Sequence, residues 1–245
     1  MKILIPAIFI LALSITHFMC DTTKKNVEIN YYKDSLKIVN YNESFNINII
    51  KGESFNHPTF VIWIEDLNEN YLETVFITKS FATGVFGHGA ITDSTWDNKP
   101  GESIQPAALP YWTYKKGLID SIQLVPTKDH PFIDAYTGAT PKGNFELETG
   151  LTSTERPFRI LIEVNQSWDW NDFWTNNKYP ESTNYKHSAQ PSLIYAVTVK
   201  EEGKEFYLNP IGHGDPKGES GILFTDISTL TGAKEIFKSI KVSIK

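Results

Sequence analysis

Thr59-Phe60-Val61-Ile62-Trp63-Ile64 is apolar at every position after the first. The run is short and rich in β-branched and aromatic side chains, and it shows no alternation. It therefore reads as a central strand buried on both faces, since a half-buried strand would alternate apolar with polar. Asn68-Glu69-Asn70 then breaks the pattern, and Tyr71-Leu72-Glu73-Thr74-Val75-Phe76-Ile77 resumes it. Two such runs around a polar turn predict a hairpin.

On the N-terminal side, Val27-Glu28-Ile29-Asn30-Tyr31 and Phe45-Asn46-Ile47-Asn48-Ile49 alternate with period two, as half-buried antiparallel strands do. On the C-terminal side, strands are expected at Ile119 to Val125, Asn144 to Glu148, Phe158 to Val164, Ser192 to Val199, Phe206 to Leu208 and Ile240 to Ile244. Helix is confined to Pro106 to Lys116 and Thr229 to Ser239, because nowhere is a 3.6-residue period sustained. Many short strands with turn-rich spacers predict an all-β fold, an immunoglobulin-like β-sandwich spanning residues 27–245. Two long irregular stretches interrupt it, Ser80 to Lys116 and Gln166 to Gln190. Loops of that length are functional or disordered, and their Trp and Tyr content argues against disorder.

The first 19 residues have a different character. Met1-Lys2 is followed by the apolar run Ile3 to Ile15, too short for a spanning helix and placed behind a positive charge, as in an export signal. His17-Phe18-Met19-Cys20 then sets the only cysteine where a lipoprotein signal peptidase would cut. The expectation is a signal peptide over residues 1–19, a lipid on Cys20, a polar tether over 20–26, and a membrane-anchored protein facing the periplasm or the cell surface. The residues before Cys20 are bulkier than a usual lipobox, and the alternative is an ordinary cleaved signal with a free thiol. Several acyl chains anchor a protein stably where one does not.

Composition narrows the function classes. One cysteine excludes a disulfide framework and haem attached through a CxxCH pair. With 40% apolar and 13% aromatic residues, the chain can bury a sizeable core instead. A net charge of −6 without a basic cluster argues against nucleic acid. No Gly-x-Ser-x-Gly, His-Glu-x-x-His or P-loop is present, and no residue is positioned for substrate catalysis.

One heptapeptide carries chemistry: Asp134-Ala135-Tyr136-Thr137-Gly138-Ala139-Thr140. It resembles the acceptor motif of FAD:protein FMN transferases, Asp-x-x-Ser/Thr-Gly-Ala-Thr, at all five specified positions. By chance such a match arises in on the order of one chain in a thousand of this length. The resemblance implies that Asp134, Thr137, Gly138 and Ala139 form the recognition sequence and that Thr140 carries FMN as a phosphoester. A threonine hydroxyl is a competent nucleophile for that phosphoryl transfer, with AMP leaving. Gly138 and Ala139 keep the backbone slim, and Pro141 with Gly143 favours an exposed turn. Known acceptors usually continue with a hydroxyl residue and a helix, whereas here Pro141-Lys142-Gly143 leads into an expected strand. A plain turn, with Asp134 capping its amides, is the alternative.

A wider resemblance runs through His57-Pro58-Thr59-Phe60-Val61-Ile62-Trp63-Ile64-Glu65-Asp66, Ala108-Leu109-Pro110-Tyr111-Trp112, the Asp134 to Pro141 segment, Ile162-Glu163-Val164-Asn165-Gln166-Ser167 and Gln190-Pro191-Ser192-Leu193-Ile194-Tyr195. In this order the pieces look like an uncharacterised bacterial family of periplasmic proteins carrying a domain of unknown function. The resemblance implies a β-sandwich and an association with flavinylation systems. A FAD:protein FMN transferase and membrane redox partners follow as expected partners, with electron transfer as the expected role.

Two further sets of residues stand out. Gly87-His88-Gly89 and Gly212-His213-Gly214-Asp215, with Asp93, Asp97, His130 or Asp134, offer metal-ligand types, yet no pair has a recognised ligand spacing, and the expectation is no metal. Ser167-Trp168-Asp169-Trp170-Asn171-Asp172-Phe173-Trp174 sets aromatics among polar residues. Trp168, Trp170 and Trp174 suit stacking on an isoalloxazine or a sugar, or else they cover the end of the sandwich. The alternative function is therefore a non-catalytic binding module for a glycan or protein ligand, with Asp169, Asn171 and Asp172 as hydrogen-bonding groups.

Overall fold

The computed structural model describes residues 31–35, 43–92, 95–133, 135–151, 156–200 and 204–244. The signal, Cys20, most of the tether-proximal strand Val27 to Tyr31, Asp93 and Asp134 lie outside the described residues. In chain order the strands begin with β1 (Tyr31–Ser35), β2 (Glu43–Lys51), β3 (Thr59–Glu65) and β4 (Tyr71–Thr78). Four short ones follow, β5 (Val85–Phe86), β6 (Ala90–Thr92), β7 (Thr95–Trp96) and β8 (Gly101–Glu102). Then come β9 (Tyr136–Gly138), β10 (Asn144–Leu151), β11 (Phe158–Asn165), β12 (Leu193–Val199), β13 (Glu205–Tyr207), β14 (Asn209–His213) and β15 (Phe237–Ile244). Helix is limited to α1 (Lys79–Thr83), α2 (Pro110–Lys116), α3 (Thr183–Ser188) and a 3-10 turn at Gly232–Glu235.

The expected all-β sandwich forms from two sheets, ordered β1-β10-β2-β15-β13 and β14-β12-β11-β3-β4-β9. Pairing is antiparallel except at two edges, where β1 runs parallel to β10 and β9 parallel to β4. In the first sheet Phe45, Ile47 and Ile49 of β2 point inward, while Asn46 and Asn48 face outward opposite Glu148 and Glu146. The period-two pattern thus does what it predicts. Across the sandwich, Phe60, Ile62 and Ile64 of β3 meet them, and Phe60 stacks on Phe76 at 5.0 Å and meets Phe145 edge-on at 5.8 Å.

β3 is buried on both faces because the second sheet is covered twice. Val61, Trp63, Leu161 and Ile194 point away from the sandwich core and pack under Phe81, Leu109, Tyr111 and Trp112 from the excursion between β4 and β9. The first long irregular stretch is therefore a third layer. Each large side chain it buries stabilises the fold by roughly 1.5–3 kcal/mol relative to exposure. The β3–β4 hairpin turns at Asp66, whose Oδ1 accepts from the amides of Asn68 and Asn70 at 2.8 Å each. Glu69 there takes φ 65°.

Glu163 fastens the third layer. It interrupts the apolar run of β11 on the outer face and is fully buried. Its carboxylate accepts from the backbone amides of Tyr111 (3.1 Å) and Trp112 (2.7 Å) at the start of α2, and from Ser192 Oγ (2.5 Å). Gly214 closes over this knot: a Cβ there would lie 2.5 Å from Ser192 Oγ and 2.7 Å from Pro110 Cγ. Glu65, on the adjacent strand β3 and the same face, accepts from Trp63 Nε1 at 3.0 Å and Arg159 at 3.1 Å.

Two expected elements differ. Ile119 to Val125 is not a strand but a closed turn, with Ile119 N–H donating to Gln123 O at 2.6 Å. Asp120 and Ser121 take positive φ there, a conformation that short polar side chains tolerate, and Ile122 is left 67% exposed. Thr229 to Ser239 holds only the 3-10 turn at Gly232–Glu235 and no α-helix. Ala233, Ile236, Phe237 and Ile240 have helical spacing, but from Phe237 onward the chain pairs with β2, and this sheet pairing overrides local periodicity.

Candidate functional site

β9 is the last strand of the second sheet, with Thr137 opposite Ile77 and Gly138 opposite Thr78 on β4. The chain then crosses to β10 in the other sheet. Ala139 is exposed, Thr140 half-buried, Pro141 buried and Lys142 exposed. The segment is thus an inter-sheet connector rather than the exposed turn expected from Pro141 and Gly143. Pro141 has turned its ring inward, and Asn144 at the far end accepts from the amide of Lys51 at 3.0 Å. A Cβ built on Gly143 would meet nothing within 4 Å, so open space adjoins the connector at Gly143, three residues beyond Thr140.

The three tryptophans do not form one platform. Trp168 is 55% exposed, Trp170 packs against the core and edge-on to Tyr185, and Trp174 is buried. Trp170 and Trp174 therefore cover the sandwich end. The polar residues between them are largely committed to the fold. Asp169 bonds to the Gln190 side chain, and Asn171 Nδ2 donates to Gln190 Oε1, Thr229 O and Thr231 Oγ1. Asn171 Oδ1 accepts from the amides of Phe173 and Trp174. Burial pushes the Asp169 carboxyl up to about 7, against the pull of the Gln190 hydrogen bond. Asp172 stays exposed.

Nor do the histidines converge. His88 is exposed and bonds the Asp97 carbonyl, and His130 lies 3.9 Å from Asp120. Among the described residues no three His, Cys, Asp or Glu side chains are grouped so that they could hold a metal ion. His213 is instead an aromatic wall. It lies parallel to Phe224 at 5.2 Å, with the edge of Trp174 at 5.8 Å. Its Nδ1 sits 2.8 Å from the Gly214 carbonyl, and burial holds its pKa below the usual histidine value.

This juxtaposition builds a groove of about 740 Å³ from two segments far apart in sequence, the aromatic stretch ending at Trp174 and the glycine-flanked His213. Phe173, Tyr179, Ile222 and Phe224 add apolar surface, and Asp215, Lys217, Glu219 and Asp226 line its polar side. The sequence singled out Phe173, Trp174, His213 and Asp215 for other reasons and pointed to no role for Lys217, Glu219, Ile222, Phe224 or Asp226. The available signal was an aromatic cluster paired with a glycine-flanked histidine, both in loops.

A second cavity, about 300 Å³, lies beside Lys116. Its ammonium donates to the carbonyls of Gly117 (2.6 Å) and Leu124 (3.1 Å) over the rings of Trp112 and Phe132, and burial lowers it to about 8. These bonds clamp the 117–124 turn, which is a structural task. No protein-family model matches the chain, and no curated protein matches it significantly.

Proposed function

We propose that the chain is an extracytoplasmic lipoprotein, tethered through Cys20, that carries FMN covalently on Thr140 and passes electrons between membrane-associated partners. The observation that carries this reading is the acceptor-like heptapeptide with Tyr136–Gly138 in an edge strand and its terminal threonine half-exposed just beyond it. A transferase needs to reach one hydroxyl on a narrow stretch of backbone, and an edge strand offers an unpaired side for it. In the transfer, the Thr140 oxygen forms a bond to the FMN phosphorus of FAD, the pyrophosphate bond breaks, AMP leaves, and the hydroxyl proton passes to the transferase's base.

On this reading the described residues around Thr140 divide the work. Thr137 and Gly138 hold the peptide in register with β4, Ala139 keeps the approach open, and Pro141 anchors the far side. The exposed Lys142 adds positive charge two residues from the anionic phosphoester. The flavin, once attached, supplies one- and two-electron redox chemistry, while this protein's part is to hold it at the membrane surface. Intact mass of the chain co-expressed with an FAD:protein FMN transferase tests the reading. An added FMN phosphoester is expected, and an unmodified chain beside an active transferase overturns it.

A further inference from the structure

We propose that the groove between Trp174 and Phe224 binds an organic cation, an ammonium head carried on an apolar or aromatic body. This site is at the opposite edge of the second sheet from Thr140 and does not depend on flavin attachment.

The groove is pre-formed. Asn171 ties the segment bearing Phe173 and Trp174 to Thr229 and Thr231, and Trp174 Nε1 donates to Thr229 Oγ1 at 3.2 Å. On the facing side, Asp215 accepts from Lys217 N (2.9 Å) and Ser220 Oγ (2.7 Å), and His213 and Phe224 exchange backbone hydrogen bonds of 2.8 and 2.9 Å. A ligand therefore meets walls already in place, and little ordering cost attends binding. The volume falls within the usual range for small-molecule sites, about 300–1,000 Å³.

Charge and ring chemistry select the ligand. Three carboxylates, Asp215, Glu219 and Asp226, line the groove against two lysines, Lys217, which is itself 2.7 Å from Glu219, and Lys178 over the Phe173 and Trp174 rings. Burial disfavours protonation of His213, so it contributes no opposing charge. Aromatic faces carry negative potential, and one pair here already holds an ammonium: Lys178 Nζ stands 3.4 Å from the Phe173 ring centre and 4.8 Å from that of Trp174. Anions are repelled by the same rim. A neutral sugar fits less well, since Asp215 has both oxygens engaged within its own loop and Asp226 accepts from the Ser228 amide.

Isothermal titration calorimetry on the full chain in non-ionic detergent, with benzyltrimethylammonium, benzyl alcohol, benzoate and cellotriose as probes, tests the proposal. Benzyltrimethylammonium is expected to bind about tenfold more tightly than benzyl alcohol, with benzoate and cellotriose weaker still. Phe224→Ala, which removes the exposed ring, is expected to lower that affinity about five- to tenfold. Asp226→Asn keeps the acceptor for Ser228 at an exposed site, so the fold is preserved, and it is expected to lower affinity about threefold and weaken the salt dependence. Equal binding of cation and alcohol, tighter binding of cellotriose, or insensitivity to both substitutions would overturn the assignment.

Discussion

Removing the Glu163 carboxylate perturbs the junction between the second sheet and the layer that covers its outer face. In Glu163→Ala, the amides of Tyr111 and Trp112 and the hydroxyl of Ser192 lose their acceptor inside a fully buried site. A buried donor left unpaired costs about 1–3 kcal/mol, so the three together cost about 3–9 kcal/mol. That is a large part of the 5–15 kcal/mol typical of a folded domain. Glu163→Gln is the informative partner. Whichever way round the amide sits, its oxygen serves one α2 amide and its NH2 opposes the other, while Ser192 can reverse its bond. The cost is then one unpaired amide, about 1–3 kcal/mol. Urea unfolding at pH 8, where the carboxylate is ionised, measures both. A loss below about 1 kcal/mol for the alanine variant would mean that Glu163 does not hold α2 to the sheet.

The same residue sets a pH dependence. Burial pushes Glu163 up to about 7 from the usual 4.5, against the pull of Ser192 and the two amides, so between those values the folded state holds a proton that the unfolded state has released. Its contribution to stability is therefore full below about pH 4.5 and falls by about 3 kcal/mol as pH rises to about 7. Glu163→Gln should flatten that part of the profile, and parallel wild-type and variant curves between pH 4.5 and 7.5 would refute it. In the sandwich core, Ile62→Ala should cost about 2–5 kcal/mol by urea unfolding, because Ile62 is fully buried between Ile162 and Phe76. A cost under about half a kcal/mol would deny β3 its central place. Cys20→Ser should move the protein from the membrane fraction to the soluble fraction, and continued membrane association would sink the lipid anchor.

Much of the fold was legible because sheets leave a periodic imprint. Phe45-Asn46-Ile47-Asn48-Ile49 showed which side chains of β2 face the core, and the unbroken run at Val61 to Ile64 signalled cover on both faces. What that cover is could not be read, because α2 and its neighbours gain their stability from contact with the outer face of the sheet and carry little periodicity of their own. The 229–239 segment misled for the converse reason: its apolar spacing satisfies a helix, yet the pairing with β2 decides. Glu163 was visible as a lone acid within Ile160-Leu161-Ile162-Glu163-Val164, though its partners lie 51, 52 and 29 residues away. The groove was hidden for a similar reason, since His213 and Trp174 become neighbours only when β14 pairs with β12.

Flavin fluorescence that survives denaturing electrophoresis, compared between the wild type and Thr140→Ala co-expressed with an active FMN transferase, tests the central claim most directly. The wild-type band should fluoresce, Thr140→Ala should be dark because alanine has no oxygen for the phosphoester, Asp134→Ala should be dimmer, and Thr137→Ser should stay bright. A fluorescent Thr140→Ala band, or a dark wild type, would contradict the account.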